Sequence, residues 1–267
     1  MHHARMSDAL FTPDAGRFVP SQHALGPWDP TALHGGPPAA LLGGAMEALP
    51  SDVPMTVVRT TLEILRPVPL RPLTVSARIE RPGGRVQLLS GMLRDGETEL
   101  CRATAWRMRV ADLDAQLGDP EPPPFAGPDA STAHVRDSDE PAFHRTGVEM
   151  RYARGSFVEL GAATVWMRLT MPVVAGETPT PLQRALALAD FGNGVSAVLS
   201  WGQFMFINTD LTVSLPYTSQ GEWIGLDAYT DINTQEGRGV AYSRLYDERG
   251  PIGHAMQSLF VQRLTPT

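Results

Sequence analysis

The chain has 267 residues, 42% of them hydrophobic and 19% charged, the composition of an ordinary soluble globular protein with enough length for one large domain or two of ordinary size. Its formal charge of −7 argues against a general nucleic-acid binder, because phosphate contacts need a basic surface. The single cysteine, Cys101, excludes an intramolecular disulfide and a cysteine-rich metal site, and no apolar run reaches the length that spans a bilayer, so a cytoplasmic protein is expected.

Up to about Trp28 the chain reads as a lead-in with one short strand around Arg17 to Leu25. In the next stretch, GPWDPTALHGGPPAALLGGAMEALP, Pro30, Pro37 and Pro38 break regular structure as far as Gly36. Proline suits a first helical turn, however, so a helix is predicted over Pro38 to Leu49, with His34, Gly35 and Gly36 as its approach. The glycines allow close backbone approach, and first-turn N–H groups can receive an anion or a polarised carbonyl oxygen. The same HGG also suits a tight turn that merely feeds a helix.

From Met55 to Val110 the pattern changes to β-branched residues and alternation, broken at Pro67 to Pro72, Pro82 to Gly84 and Asp95-Gly96. A helix followed by such a meander implies a helix laid across one face of an antiparallel sheet. Between Ala111 and Pro141 the composition shifts to Asp, Pro, Gly and Ala, which reads as a linker. The chain thus divides into 1–110, a Pro-rich linker 111–141, and 142–267.

The second part repeats the plan of the first. Strands are expected at Thr146 to Arg154 and Val165 to Met171, then a helix from Pro181, then four more strand-like runs beginning with FMFINTDLTVSLP. Thr60 to Val110 can be laid against Thr209 to Leu264 with the order of elements kept, as two copies of one supersecondary unit would require. Within PLQRALALADFGNGVSAVLSW, Leu182, Leu186 and Asp190 are spaced to share one helical face. A carboxylate facing a core is costly unless its charge finds partners, and such groups gather where proton chemistry is done. The alternative is an Asp near a helix end, since Gly192 and Gly194 follow it.

Other chemistries lack support. The seven histidines show no HExxH or similar spacing, so no metal site is expected. Ser196 in GVSAV lacks the final glycine of a nucleophile elbow. Gly192, Gly194 and Ala197 spell GxGxxA, but antiparallel-looking strands follow where a dinucleotide site needs a βαβ unit.

A helix wrapped by antiparallel strands and present twice, with HGGPPAALL opening the first helix and LRPVPLRPLTV in the strands after it, resembles the double-hotdog acyl-CoA thioesterases, of the acyl-CoA thioesterase II type. The resemblance runs from roughly Phe18 to Arg263. It implies an α+β double hotdog, two antiparallel sheets each wrapped around a central helix and fused edge to edge. It further implies hydrolysis of a fatty acyl-CoA without a metal or cofactor, in a protein that commonly assembles into homo-oligomers.

The family's catalytic Asp, Thr and Gln map to Asp190, Asn208 and Gln257, with Asn standing where the family has Thr. His34, Gly35, Gly36 and Thr212 are the implied substrate contacts. Arg59, Arg66, Arg71 and Arg85, in the strand region near the first helix, could meet the CoA phosphates or simply be solvated surface charges, and Met150, Trp201, Phe204, Met205 and Phe206 could line an acyl tunnel or simply pack the core. A non-catalytic acyl-CoA or acyl-carrier binding module, suggested by Asn208, is one rival reading. A hotdog dehydratase or hydratase, which would want a His paired with a carboxylate, is the other, and His34 at the helix approach leaves it open.

Overall fold

A computed structural model describes residues 9–115, 118 and 121–264, so 116, 117, 119 and 120 of the expected linker lie outside the described residues. The lead-in is a hairpin of β1 (Phe11–Asp14) and β2 (Arg17–Pro20), not one strand. Ala15 at φ 46° and Gly16 at φ 79° make its turn, the paired positive φ that matches strand twist. Only the glycine advertised it.

Helix α1 (Gly36–Glu47) starts two residues before the predicted Pro38 because both prolines fit its first turn. It is buried from Gly36 through Gly43 and again at Met46, so it has no polar stripe to give it away. Helix α2 (Pro181–Ala189) runs antiparallel beside it at very close range. A Cβ on Gly36 would collide with the Ala187 carbonyl, and one on Gly43 with the Leu186 side chain. Small residues are therefore what lets the two helices meet. At the far end the Thr180 hydroxyl accepts from the Gln183 N–H at 3.2 Å, the Gln183 side chain accepts from the Thr180 N–H at 3.0 Å, and the same hydroxyl donates to Glu47 at 2.6 Å.

The strands are β3 (Met55–Ile64), β4 (Thr74–Arg81), β5 (Val86–Asp95), β6 (Thr98–Arg109), β7 (Thr132–Ala133), β8 (Val148–Arg154), β9 (Ala163–Leu169), β10 (Phe204–Asn208), β11 (Asp210–Ser214), β12 (Ile224–Asn233), β13 (Arg238–Asp247) and β14 (Gly250–Arg263). Among the described residues they form a 12-stranded sheet in the order β4-β5-β6-β3-β11-β14-β13-β12-β9-β8-β7, with β10 also on β14. Read outward from the β3–β11 seam, the order β3, β6, β5, β4 on one side is matched by β11, β14, β13, β12 on the other. The expected repeat is thus present as two equivalent units joined edge to edge. The seam sets Leu62 opposite Leu211 and Thr60 opposite Val213.

Two local breaks differ from expectation, and both help to position Asp190 and Asn208. The run FMFINTDLTVSLP was read as one strand, but it splits at Thr209. Up to Asn208 the partner of each residue on β14 keeps one register, with Asn208 opposite Leu259, whereas Thr212 lies opposite Met256, one residue out of step. Such a bulge re-aims side chains. The helix from Pro181, in turn, ends at Ala189, with Asp190 as its C-cap and a separate single turn, α3 (Gly192–Val195), after it. Among the described residues no helix is long and apolar enough to cross a membrane.

Candidate active site

The antiparallel pairing of α1 and α2 places the C-terminal end of one beside the N-terminal end of the other. Asp190 closes α2, is 3% exposed, and faces His34 and Gly35 at the start of α1. Both expectations for this residue hold in part, since it is core-facing and also terminal. A carboxylate so enclosed needs donors, and three side chains from separate elements supply them. Asn208 Nδ2 donates to Oδ1 at 2.9 Å, Gln257 Nε2 donates to the same oxygen at 3.0 Å, and His34 Nδ1 lies 2.8 Å from Oδ2.

The local sequence explains each position. On β14 the buried residues alternate, Gly253, Ala255, Gln257, Leu259 and Val261, so Gln257 is the one polar side chain in an inward-facing row. Both N–H donors of its amide are used. Nε2 also donates to the Asp190 carbonyl at 3.2 Å, and Oε1 accepts from the Asn193 N–H at 3.0 Å. Asn208 ends β10 at the bulge, where its second N–H goes to the Asp210 carbonyl at 3.1 Å. The Asp210 carboxylate accepts from the Ser258 N–H at 2.9 Å, which pins the bulge instead of doing chemistry.

His34 needs a tautomer assignment. The Gly36 N–H is 3.2 Å from the same Nδ1 that approaches Asp190. One ring nitrogen cannot accept from the amide and donate to the carboxylate, and the shorter, charge-assisted contact assigns the proton to Nδ1. Nε2 then carries a lone pair. The ring is wedged between Phe143 and Phe191, with centroids at 5.2 and 4.7 Å. Gly35 is required by this crowding, because a Cβ there would lie 2.7 Å from Asp190 Oδ2.

The cluster opens onto a cavity of about 540 Å³ lined by residues that include His34, Gly35, Asp190, Asn208, Arg66 and Trp201. That volume suits a small-molecule ligand. Its apolar wall is an aromatic stack, with Trp28 against Trp201 at 4.8 Å and Trp201 against Phe157 at 6.0 Å.

Several expected residues fall elsewhere. Thr212 is not on the cavity. It sits between the inward-facing Leu211 and Val213, so alternation turns it to the outer face, where it hydrogen-bonds Thr61 across the seam at 3.1 Å. Gly36 is buried behind Gly35 with its N–H toward His34, so its role is packing and not substrate contact. Of the residues suggested for a tunnel, Trp201 and Met205 line the cavity, whereas Met150 and Phe206 are core and Phe204 lies under the Arg263 guanidinium. Of the four arginines suggested for the CoA phosphates, Arg66 alone reaches it.

Cys101 and His144 are among the cavity-wall residues not singled out as site residues from sequence. Cys101 lines it, but burial, and then the Asp190 charge, push its thiol up to about 12, so it is no nucleophile at neutral pH. His144 also lines it, with Nδ1 buried and without a protein partner among the described residues. Burial, helped by the nearby His34, brings its imidazole down to about 4. Among the described residues no group of three or more His, Cys, Asp or Glu side chains is placed to hold a metal.

Comparison with known proteins gives a consistent result. Family models described as acyl-CoA thioesterase N-terminal domain and acyl-CoA thioesterase C-terminal domain match residues 24–108 and 118–261. No curated protein sequence matches significantly. Among solved structures, a conserved hot dog fold protein of unknown function from Alicyclobacillus acidocaldarius superposes with a TM-score of 0.74 at 15% identity, covering 100% of both chains. A protein of Thermobifida fusca YX assigned as a thioesterase II gives 0.73 at 16% identity, covering 97% of this chain and 96% of that one. The acyl-CoA thioesterase II TesB2 of Mycobacterium marinum gives 0.65 at 12%, covering 94% and 95%. At these identities the likenesses establish the hotdog fold alone.

Proposed function

The chain belongs to the acyl-CoA thioesterase family, and on that premise we propose that it cleaves a fatty acyl-CoA to the free acid and CoA by Asp190-assisted attack of water. The observation that carries this reading is the three-donor clamp on Asp190 at the wall of an apolar cavity. Hydrolysis of a thioester needs a base for water's proton, donors for the oxyanion, and fixed positions for both. Asp190 supplies the negative charge toward which the departing proton is drawn. Asn208 fills the place of the family's Thr and keeps one donor on the carboxylate. Gln257, both of its N–H donors already on Asp190, acts as a positioning residue. The Gly35 amide, at the positive end of α1 and on the cavity wall, is suited to the thioester carbonyl oxygen. The aromatic stack takes the acyl group, and Arg66 offers a cation at the cavity for the CoA phosphates.

The test is release of free CoA from acyl-CoAs of graded chain length, monitored with a thiol reagent. Wild type is expected to release CoA and Asp190→Ala to lose at least roughly 10²-fold in rate. No release from any chain length would sink the hydrolase reading and favour a binding module.

One observation supports a second reading, addition of water to an enoyl-CoA: the contact of 2.8 Å between His34 and Asp190 is the base and carboxylate pairing that such a reaction uses. Loss of enoyl absorbance without CoA release would select it.

A further inference from the structure

We infer that the group receiving water's proton is His34 Nε2, with Asp190 acting through the imidazole and not as the base itself. This rests on the hydrolase reading and names the proton acceptor within it.

Occupancy and access both set Nε2 apart from the carboxylate. Asp190 Oδ1 already takes two amide donors and Oδ2 takes His34 Nδ1, so a water competes for what little acceptor capacity remains. The Asp190 side chain is 2% exposed against 11% for His34, and His34 stands on the cavity wall. With the proton assigned to Nδ1, the lone pair is on Nε2, which has no protein partner among the described residues. The phenyl rings of Phe143 and Phe191 hold the ring plane, and the carboxylate fixes the tautomer and stabilises the imidazolium that forms. Asn208 and Gln257 then matter because they keep Asp190 aimed at Nδ1.

Every atom and proton of the step is accounted for. The water oxygen bonds to the thioester carbonyl carbon while one water proton passes to Nε2. Collapse of the tetrahedral intermediate breaks the C–S bond, and Nε2 returns that proton to the leaving sulfur, giving free acid and thiol. No oxidant, metal or second reactant is needed.

The experiment measures steady-state CoA release by wild type, His34→Gln and His34→Ala, with folding checked by circular dichroism and with imidazole added to the alanine variant. The expected result is a loss in kcat of roughly 10²–10⁴-fold with KM little changed, and partial recovery by imidazole in His34→Ala alone. A second measurement needs no variant. Diethyl pyrocarbonate should inactivate the wild type in step with carbethoxylation of His34, located by mass spectrometry, and hydroxylamine should reverse both. Either variant folding and keeping kcat within threefold, or a wild type modified at His34 yet fully active, would overturn the inference while leaving the hydrolase reading intact. A wild type that cleaves no acyl-CoA overturns both.

Discussion

At the scale of single residues, the site is defined by what surrounds one carboxylate, so small changes in that shell should be felt in catalysis before they are felt in folding. Gly35→Ala puts a methyl 2.7 Å from Asp190 Oδ2, and the flexible end of that side chain is what must give. The expected outcome is a folded protein, checked by circular dichroism, with CoA release down at least roughly tenfold, the equivalent of about 1.4 kcal/mol in the barrier. Asn208→Ala removes one donor from Asp190 and the partner of the Asp210 carbonyl, a cost of about 1–3 kcal/mol for the groups left unpaired. It should lower kcat more than it raises KM. His144 provides a pH test. Its imidazole titrates near 6.5 in the unfolded chain but only near 4 when folded, so between those values the unfolded state binds more protons. Stability is therefore lost as pH falls through that window. The drop in melting temperature from pH 6.5 to 4 should be shallower in His144→Gln, and an unchanged slope would contradict the assignment.

At the scale of elements, the α1–α2 contact decides where the site can form. Gly→Ala inside a free helix gains about 1 kcal/mol in propensity. Gly36→Ala should do the reverse and cost about 1–3 kcal/mol by overpacking, because its new methyl meets the Ala187 backbone carbonyl, which cannot rotate away. Gly43→Ala meets the end of the Leu186 side chain and should cost less, an order that urea midpoints will check. These elements also show what the sequence could say. Proline and glycine marked the start of α1 to within two residues, whereas Gln257 was reached through the family resemblance, and the structure shows it on the inner face of an alternating β14. The β10–β11 bulge had no such signature, since it arises from a register slip against β14, and it leaves Thr212, a substrate contact implied by the resemblance, on the outer face. Both His34 and Asp190 were singled out from sequence, but their contact was not legible, for a related reason. It joins residues far apart in sequence through antiparallel helix packing, and neither helix carries a mark of the other. His144 was invisible because its character comes from burial, not from any motif.

At the scale of the whole molecule, the repeat raises the question of whether the two copies can act separately. The sheet is continuous through the β3–β11 seam, the central helices touch along their length, and the site takes His34 from the first copy and Asp190, Asn208 and Gln257 from the second. Neither copy holds a complete clamp. Loosening the first should therefore disable the chemistry anchored in the second, even at a position remote from the cavity. Leu89, on β5 and fully buried, is such a position. Leu89→Ala leaves a cavity in the first copy and should cost about 2–5 kcal/mol. In urea titrations of wild type and variant, far-UV circular dichroism, tryptophan fluorescence and CoA release should fall together in one transition, shifted as a whole to lower urea in the variant. If the two copies were independent folding units, the variant would instead show two steps in circular dichroism. Activity would then be lost with the first step, because unfolding of the first copy withdraws His34 while the second copy's sheet signal persists.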